Sequence, residues 1–359
     1  MSGMFDYLNW RGDILFSQLP PNPVDALIFS TLSYIRMTGV VPEDTDHYIC
    51  LRDAAAMLLD APEELEVRVK ADIDLLRAAA ATERFGRVKL TFCRDIFIPE
   101  EDTQFAAVTW LLEDGTAFLA FRGTDNTLVG WKEDFNMTFQ ETIPAQRLAQ
   151  QYVQEFTAHS KVPIHLGGHS KGGNLAVFAA ARCDYLTQKR IVTVYNHDGP
   201  GFSEDMMTDP GYLNIVPRIR TYVPQSSVFG MLLEHEEPYI IIKSKQLGLM
   251  QHDPYSWEIM GGNFLPCDDV SSDSRFLDRT LRNWLAAMNI EERNAFFDSV
   301  FDLLMIEKTS RPRDIVRPQN LITYIKTLQS DDTKRQVIAK ELVKLVQSAQ
   351  LAQQEYPEP

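Results

Sequence analysis

The chain has 359 residues, 45% apolar and 24% charged, with a net charge of −15. That length and balance suit a globular protein with a large core. The acidic excess argues against nucleic acid as a partner, because phosphate binding needs clustered Lys and Arg. Met1 to Leu19 lacks a basic stretch followed by a long apolar one, so no secretory signal is expected. No apolar run approaches the roughly 18 residues of a transmembrane helix. Cys50, Cys93, Cys183 and Cys267 are far apart and form no Cys-x-x-Cys pair. Reduced thiols and a cytoplasmic location are therefore expected.

In chain order, Asp25 to Arg36 has helical spacing, with Leu27, Ile28, Leu32 and Ile35 apolar. Two acidic, alanine-rich helices are expected at Leu51 to Leu59 and Pro62 to Ala80. The pattern then turns to strands at Val88 to Phe97, Gln104 to Leu112 and Ala117 to Phe121. Glu113-Asp114-Gly115 is a hairpin turn between the last two. A helix is predicted over Ala145 to Ala158, a strand over Val162 to Leu166 and a helix from about Gly172 to Arg182. Strands follow at Ile191 to Tyr195, Ile219 to Val223 and Tyr239 to Ile242. Strands alternating with helices imply an α/β fold, a mostly parallel sheet covered on both faces.

From about Ser274 the pattern is all-helical, with Asn289 and Glu292 placed as a capping pair. Pro312 and Pro318 suggest a connection, and helices resume to about Ala349. The expected organisation is a core over 1–273 with an N-terminal helical segment, a helical region over 274–350 packed on it, and a tail over 351–359. Those C-terminal helices could instead form a lid or a partner-binding surface.

The strongest chemical signal is Gly168-His169-Ser170-Lys171-Gly172, between an apolar strand and a small-faced helix. A Gly-x-Ser-x-Gly elbow needs this strand–turn–helix context, and Ser170 is the expected nucleophile. A side chain at Gly168 or Gly172 would collide with the neighbouring strand or helix. The rival phosphate loop requires Gly-Lys-Ser/Thr, the reverse of this order. One oxyanion donor should be the backbone N–H of Lys171. The other is expected from Thr124, after the strand ending in Phe121-Arg122-Gly123, with its hydroxyl orienting the loop.

The base and acid should follow the serine. Of His197, His235 and His252, His252 lies in a loop beyond the last core strand, where the base belongs. His235 sits in an acidic stretch resembling a solvated loop, and His197 adjoins the acid candidate. That candidate is Asp198, at the turn after the strand that follows the elbow helix. The next strand's exit, Thr221 to Gly230, contains no carboxylate, which leaves Asp198 ahead of Asp253 and Glu234. No metal motif and no cofactor motif is present.

Phe121-Arg-Gly-Thr124, Trp131-Lys-Glu-Asp134 and Gly-His-Ser170-Lys-Gly-Gly-Asn-Leu-Ala resemble the class 3, fungal-type lipases. A closer resemblance is to a bacterial family of uncharacterised α/β-hydrolase-like proteins. It is carried by Trp10-Arg-Gly-Asp13, the elbow through Asn174, Asp198-Gly-Pro-Gly-Phe202, Val223-Pro-Gln-Ser-Ser-Val and Gln251-His252-Asp253, over roughly residues 5 to 260. The resemblance implies an α/β-hydrolase fold and hydrolysis of an ester or lipid. Class 3 lipases carry their acid after the strand matching Ile219 to Val223, where this chain has Gln225 and Ser226. Either Asp198 has taken that role or the triad is incomplete. The expected activity is serine ester hydrolysis on a small-molecule or lipid substrate. The alternatives are acyl transfer with the same triad, or a non-catalytic interaction protein on a hydrolase scaffold.

Overall fold

The computed structural model describes residues 2–305 and 318–355, apart from 64, 126, 138, 139, 228, 229, 231, 232, 234 and 271. An N-terminal group comprises α1 (Met4–Arg11), α2 (Pro23–Leu32), the short strand β1 (Ile49–Cys50), α3 (Leu51–Leu58), α4 (Lys70–Ala81) and α5 (Glu83–Gly86). Asn22 caps α2 through its side chain, and Pro23 occupies the first turn, where its missing N–H costs nothing. α4 begins at Lys70 rather than Pro62, with the Asp72 carboxylate accepting from Val69 N at its start.

The sheet follows: β2 (Lys89–Ile98), β3 (Thr103–Leu111), β4 (Ala117–Phe121), β5 (Ile164–His169), β6 (Ile191–His197), β7 (Ile219–Pro224) and β8 (Tyr239–Ile242). Between them run α6 (Leu128–Asn136), α7 (Pro144–His159), α8 (Lys171–Arg182), and the short helices α9 (Tyr185–Gln188), α10 (Glu204–Met207) and α11 (Pro210–Ile215). The eight strands lie side by side in chain order. β1 to β4 pair antiparallel, and β4 to β8 pair parallel. The result is a mixed, mainly parallel sheet flanked by helices, consistent with an α/β-hydrolase-like fold.

All of β4 and β5 is buried, as central parallel strands must be when helices cover both faces. Alternation splits β4 between two cores. Phe118 and Ala120 join the cluster under α2 and α4, whereas Ala117, Leu119 and Phe121 join the one under α7 and α8. The N-terminal helices are also tied down by charge. Arg84 grips Asp25 through Nε at 2.9 Å and Nη2 at 2.6 Å, both side chains fully buried. Arg84 Nη1 donates to the Ile14 and Leu19 carbonyls, so the guanidinium is well satisfied.

After β8 come the small hairpin β9 (Ile259–Met260) and β10 (Asn263–Phe264), then α12 (Ser272–Ala286), α13 (Ile290–Met305), α14 (Pro318–Ser330) and α15 (Asp332–Glu355). The Asn289–Glu292 capping box forms in both directions. Phe297 of α13 stacks on Phe135 of α6 at 4.7 Å, and Leu128 of α6 enters the cluster with Trp284, Phe296 and Phe301. Pro318 opens α14 instead of lying in a connection, since its fixed φ suits the first helical position. Pro312 lies outside the described residues. α15 continues through Glu355, past the expected end near Ala349, because its Gln- and Ala-rich end favours helix. Among the described residues, no helix is long and apolar enough to cross a membrane.

Candidate active site

β5 delivers Ser170 at its carboxyl end, and α8 starts at the next residue. Ser170 has φ 59° and ψ −133°, a conformation that costs a non-glycine residue roughly 1–3 kcal/mol. Backbone hydrogen bonds hold it there: Ser170 N donates to His197 O, and Gly173 N donates to Ser170 O, each at 2.9 Å. The flanking glycines permit the sharp turn. A Cβ on Gly168 would lie 2.1 Å from the Gly172 carbonyl carbon, and one on Gly172 would lie 2.2 Å from Phe121 O. These are the collisions with helix and strand that the motif implied.

Asp198 is placed by the next parallel strand. His169 is in register with His197, so the exits of β5 and β6 are neighbours. Asp198 also has a positive φ, 55°, and its N–H donates to Tyr222 O of β7 at 2.9 Å. Its side chain is fully buried. His252, 54 residues onward, turns Nδ1 to Asp198 Oδ2 at 2.6 Å. A carboxylate only accepts, so Nδ1 is the donor of this pair, which in a neutral ring makes Nε2 the acceptor nitrogen. The second carboxylate oxygen accepts from Ser227 Oγ, and Ser227 Oγ in turn accepts from Gly230 N at 3.0 Å. The exit of β7 up to Gly230, which offers no carboxylate, thus supplies a hydroxyl that steadies the Asp198 carboxylate of the neighbouring strand. Ser170 Oγ makes no hydrogen bond to His252 or to any other described residue.

The loop after β4 crosses the elbow. A Cβ on Gly123 would lie 2.1 Å from the Tyr34 hydroxyl and 2.5 Å from His169 O, so only glycine lets the loop pass. Arg122 before it forms a bidentate pair with Asp95 at 3.0 and 3.1 Å. Thr124 Oγ1 donates to Asp134 Oδ2 of α6. Asp134 is fully enclosed, and burial raises its carboxyl to about 7 against the opposing pull of Lys171. Lys171 lies at the first position of α8, where its backbone N–H has no partner within the helix. Its side chain is wholly buried. Nζ meets Glu133 Oε2 at 2.7 Å, Gln104 Oε1 at 2.8 Å and Gln104 O at 2.9 Å, which uses all three of its protons. Glu133 Oε1 accepts from Ala145 N at 3.0 Å. This ion pair joins the elbow helix to α6 and β3.

The other histidines fall out differently. His197 is buried between Tyr195 and Tyr222, and burial pushes its pKa down to about 3. His235 is not in a solvated loop. Its ring is enclosed, with Nε2 on Gly230 O at 2.9 Å and Nδ1 on Glu237 Oε1 at 3.1 Å. Glu237 recruits it, because this buried carboxylate also takes the hydroxyls of Tyr212 and Thr221. Asp253 faces Arg68 and the Tyr255 amide rather than a histidine, and Glu234 lies outside the described residues.

Tyr34, Gln104, Glu133, Asp134, His169 and Ser227 stand around the site without having been singled out for a role. Trp131 to Asp134 was visible as a motif. Nothing in the sequence pointed to Tyr34 or Gln104. Among the described residues, no group of three or more His, Cys, Asp or Glu side chains is placed to hold a metal ion.

No curated protein matches the chain. Residues 79–302, more than half of it, match the Mbeg1-like family model, and the chain belongs to that family.

Proposed function

We propose that this protein is a serine hydrolase of carboxylic esters, lipase- or esterase-like, working through Ser170, His252 and Asp198. The observation that carries the reading is the 2.6 Å contact from His252 Nδ1 to buried Asp198, at the strand exit beside a strained serine elbow. That contact selects the tautomer whose Nε2 can take a proton, and it stabilises the imidazolium that results.

In this mechanism Ser170 Oγ attacks the ester carbonyl carbon while its proton passes to His252 Nε2. The carbonyl oxygen becomes an oxyanion, held by the N–H groups of Lys171 and Thr124. Collapse breaks the bond to the leaving alkoxide, which takes the proton from His252 and departs as an alcohol. Water then attacks the acyl-enzyme, His252 again accepts the proton, and the acid leaves with Ser170 regenerated. The Thr124–Asp134 hydrogen bond supports the aim of the Thr124 loop. The similarity of the Arg122-Gly-Thr124 loop and the elbow to those of class 3 lipases supports an ester over an amide.

The test is labelling with a fluorophosphonate probe, followed by release of acid from a panel of esters. Wild type should label and Ser170→Ala should not. Equal labelling of both, or of neither, removes Ser170 as an activated nucleophile.

A further inference from the structure

We infer that His169 is a positioning residue: a latch through which the N-terminal helical segment holds the backbone of the base-bearing loop beside the nucleophile. The inference rests on the reading of His252 as the base. Its observations are independent of that reading.

His169 Nε2 lies 2.8 Å from the main-chain oxygen of His252, and Nδ1 lies 2.9 Å from the Tyr34 hydroxyl. A carbonyl can only accept, so Nε2 carries the hydrogen. Full burial holds the ring neutral, well below the ordinary histidine range. Nδ1 is therefore a bare acceptor, and Tyr34 must donate to it. Both ring nitrogens are used, and the Tyr34 hydroxyl also lies 3.4 Å from the His169 main-chain oxygen. A chain of hydrogen bonds runs from Tyr34 through His169 to the backbone of His252, whose own ring continues to Asp198. The two imidazole rings are 4.6 Å apart.

The same segment grips the loop on either side. Arg68 lies 4.9 Å over the Tyr34 ring and reaches Asp253 Oδ1 at 3.4 Å. Tyr255 donates to buried Asp72 Oδ1 of α4 at 2.8 Å. Trp257 Nε1 and Gln251 O close the loop on itself at 2.9 Å. Tyr34, Arg68 and Asp72 all precede residue 79, where the family match begins. Tyr34 also lies directly under Gly123 of the Thr124 loop. One N-terminal hydroxyl thus abuts the histidine that holds the base and the loop that carries the oxyanion donor. The consequence is catalytic because a base displaced by about an ångström can lose some hundredfold in rate.

Two measurements on the full chain test the latch. One is hydrogen exchange at amides 250–258. The other is the fluorophosphonate labelling rate of Ser170. Tyr34→Phe keeps the buried ring, and His169→Leu removes both bonds. His169→Gln keeps a donor where Nε2 was. Tyr34→Phe should speed exchange in the loop and slow labelling about tenfold, the worth of one buried hydrogen bond, and His169→Leu, which loses two, should do so by at least as much. His169→Gln should recover part of both, a rescue that a purely packing role would not show. Exchange and labelling within twofold of wild type in Tyr34→Phe and His169→Leu would overturn the latch. If wild type labels no better than Ser170→Ala, the hydrolase reading falls with the catalytic consequence. Loop exchange then still decides whether the latch exists.

Discussion

His252 Nδ1 and Asp198 Oδ2 stand 2.6 Å apart, although 54 residues separate them in the chain. Asp198 comes from the end of β6, one strand beyond the one that carries Ser170, and its other oxygen is held by Ser227 from the segment after β7. This relationship makes a sharp demand. Asp198→Asn would keep the side chain's size but present an N–H toward Nδ1, favouring the wrong tautomer. The rate of Ser170 labelling should fall by about 10³–10⁴. A loss smaller than tenfold would remove Asp198 from the proposed triad.

The Lys171–Glu133 pair is buried completely on both sides. Removing one partner strands the other charge in the interior. Lys171→Met and Glu133→Gln should each lower unfolding free energy by about 3–5 kcal/mol in urea melts. The double variant should cost clearly less than the sum of the two, because neither charge is then left alone. Additive losses would show that the pair is not coupled.

Asp134 ties stability to pH. Its folded value of about 7 lies above the ordinary aspartate value of 3.8. Between those values the native state holds a proton that the unfolded chain has released. The contribution is therefore full below about pH 4 and is lost as pH rises through 7. Asparagine can still accept from Thr124 but cannot titrate. Comparison of denaturation midpoints at pH 5 and pH 7.5 should show a smaller drop for Asp134→Asn than for wild type. An equal drop would mean that Asp134 titrates as an ordinary carboxylate.

Gly172→Ala should be among the most damaging single-methyl additions. Its Cβ would lie 2.2 Å from the Phe121 carbonyl oxygen, and backbone cannot swing aside as a side chain does. The cost should be roughly 3 kcal/mol in equilibrium unfolding. Labelling of the folded fraction should also fall, since the shift moves the Lys171 N–H. A well-folded variant that labels normally would contradict the packing described.

The readable parts of the sequence were those whose signals are local. β4, β5 and β6 announced themselves as short apolar runs and α8 as a helix with a small-residue face, bounded by glycine where the backbone had to turn. The elbow was visible because its steric demands act within five residues. Asp198 and His252 follow in the sequence only from elimination and chain order. Neither choice used their contact. Misreadings occurred where distant partners decide. His235 looked solvated among its acidic neighbours until Glu237 proved buried and in need of a donor. Pro318 looked like a break and is a helix start.

The sequence alone determined the fold class, the order of the strands' chemistry and the serine at the turn, because backbone sterics and hydrophobic periodicity act over a few residues. Tertiary structure alone decided that Lys171 is a buried anchor to Glu133, 38 residues away, and that His169 joins Tyr34, 135 residues away, to the backbone of His252. A charge or imidazole leaves water at a cost that only well-placed partners offset, and those partners lie far away in the sequence. Only the folded chain brings the partners that make burial affordable.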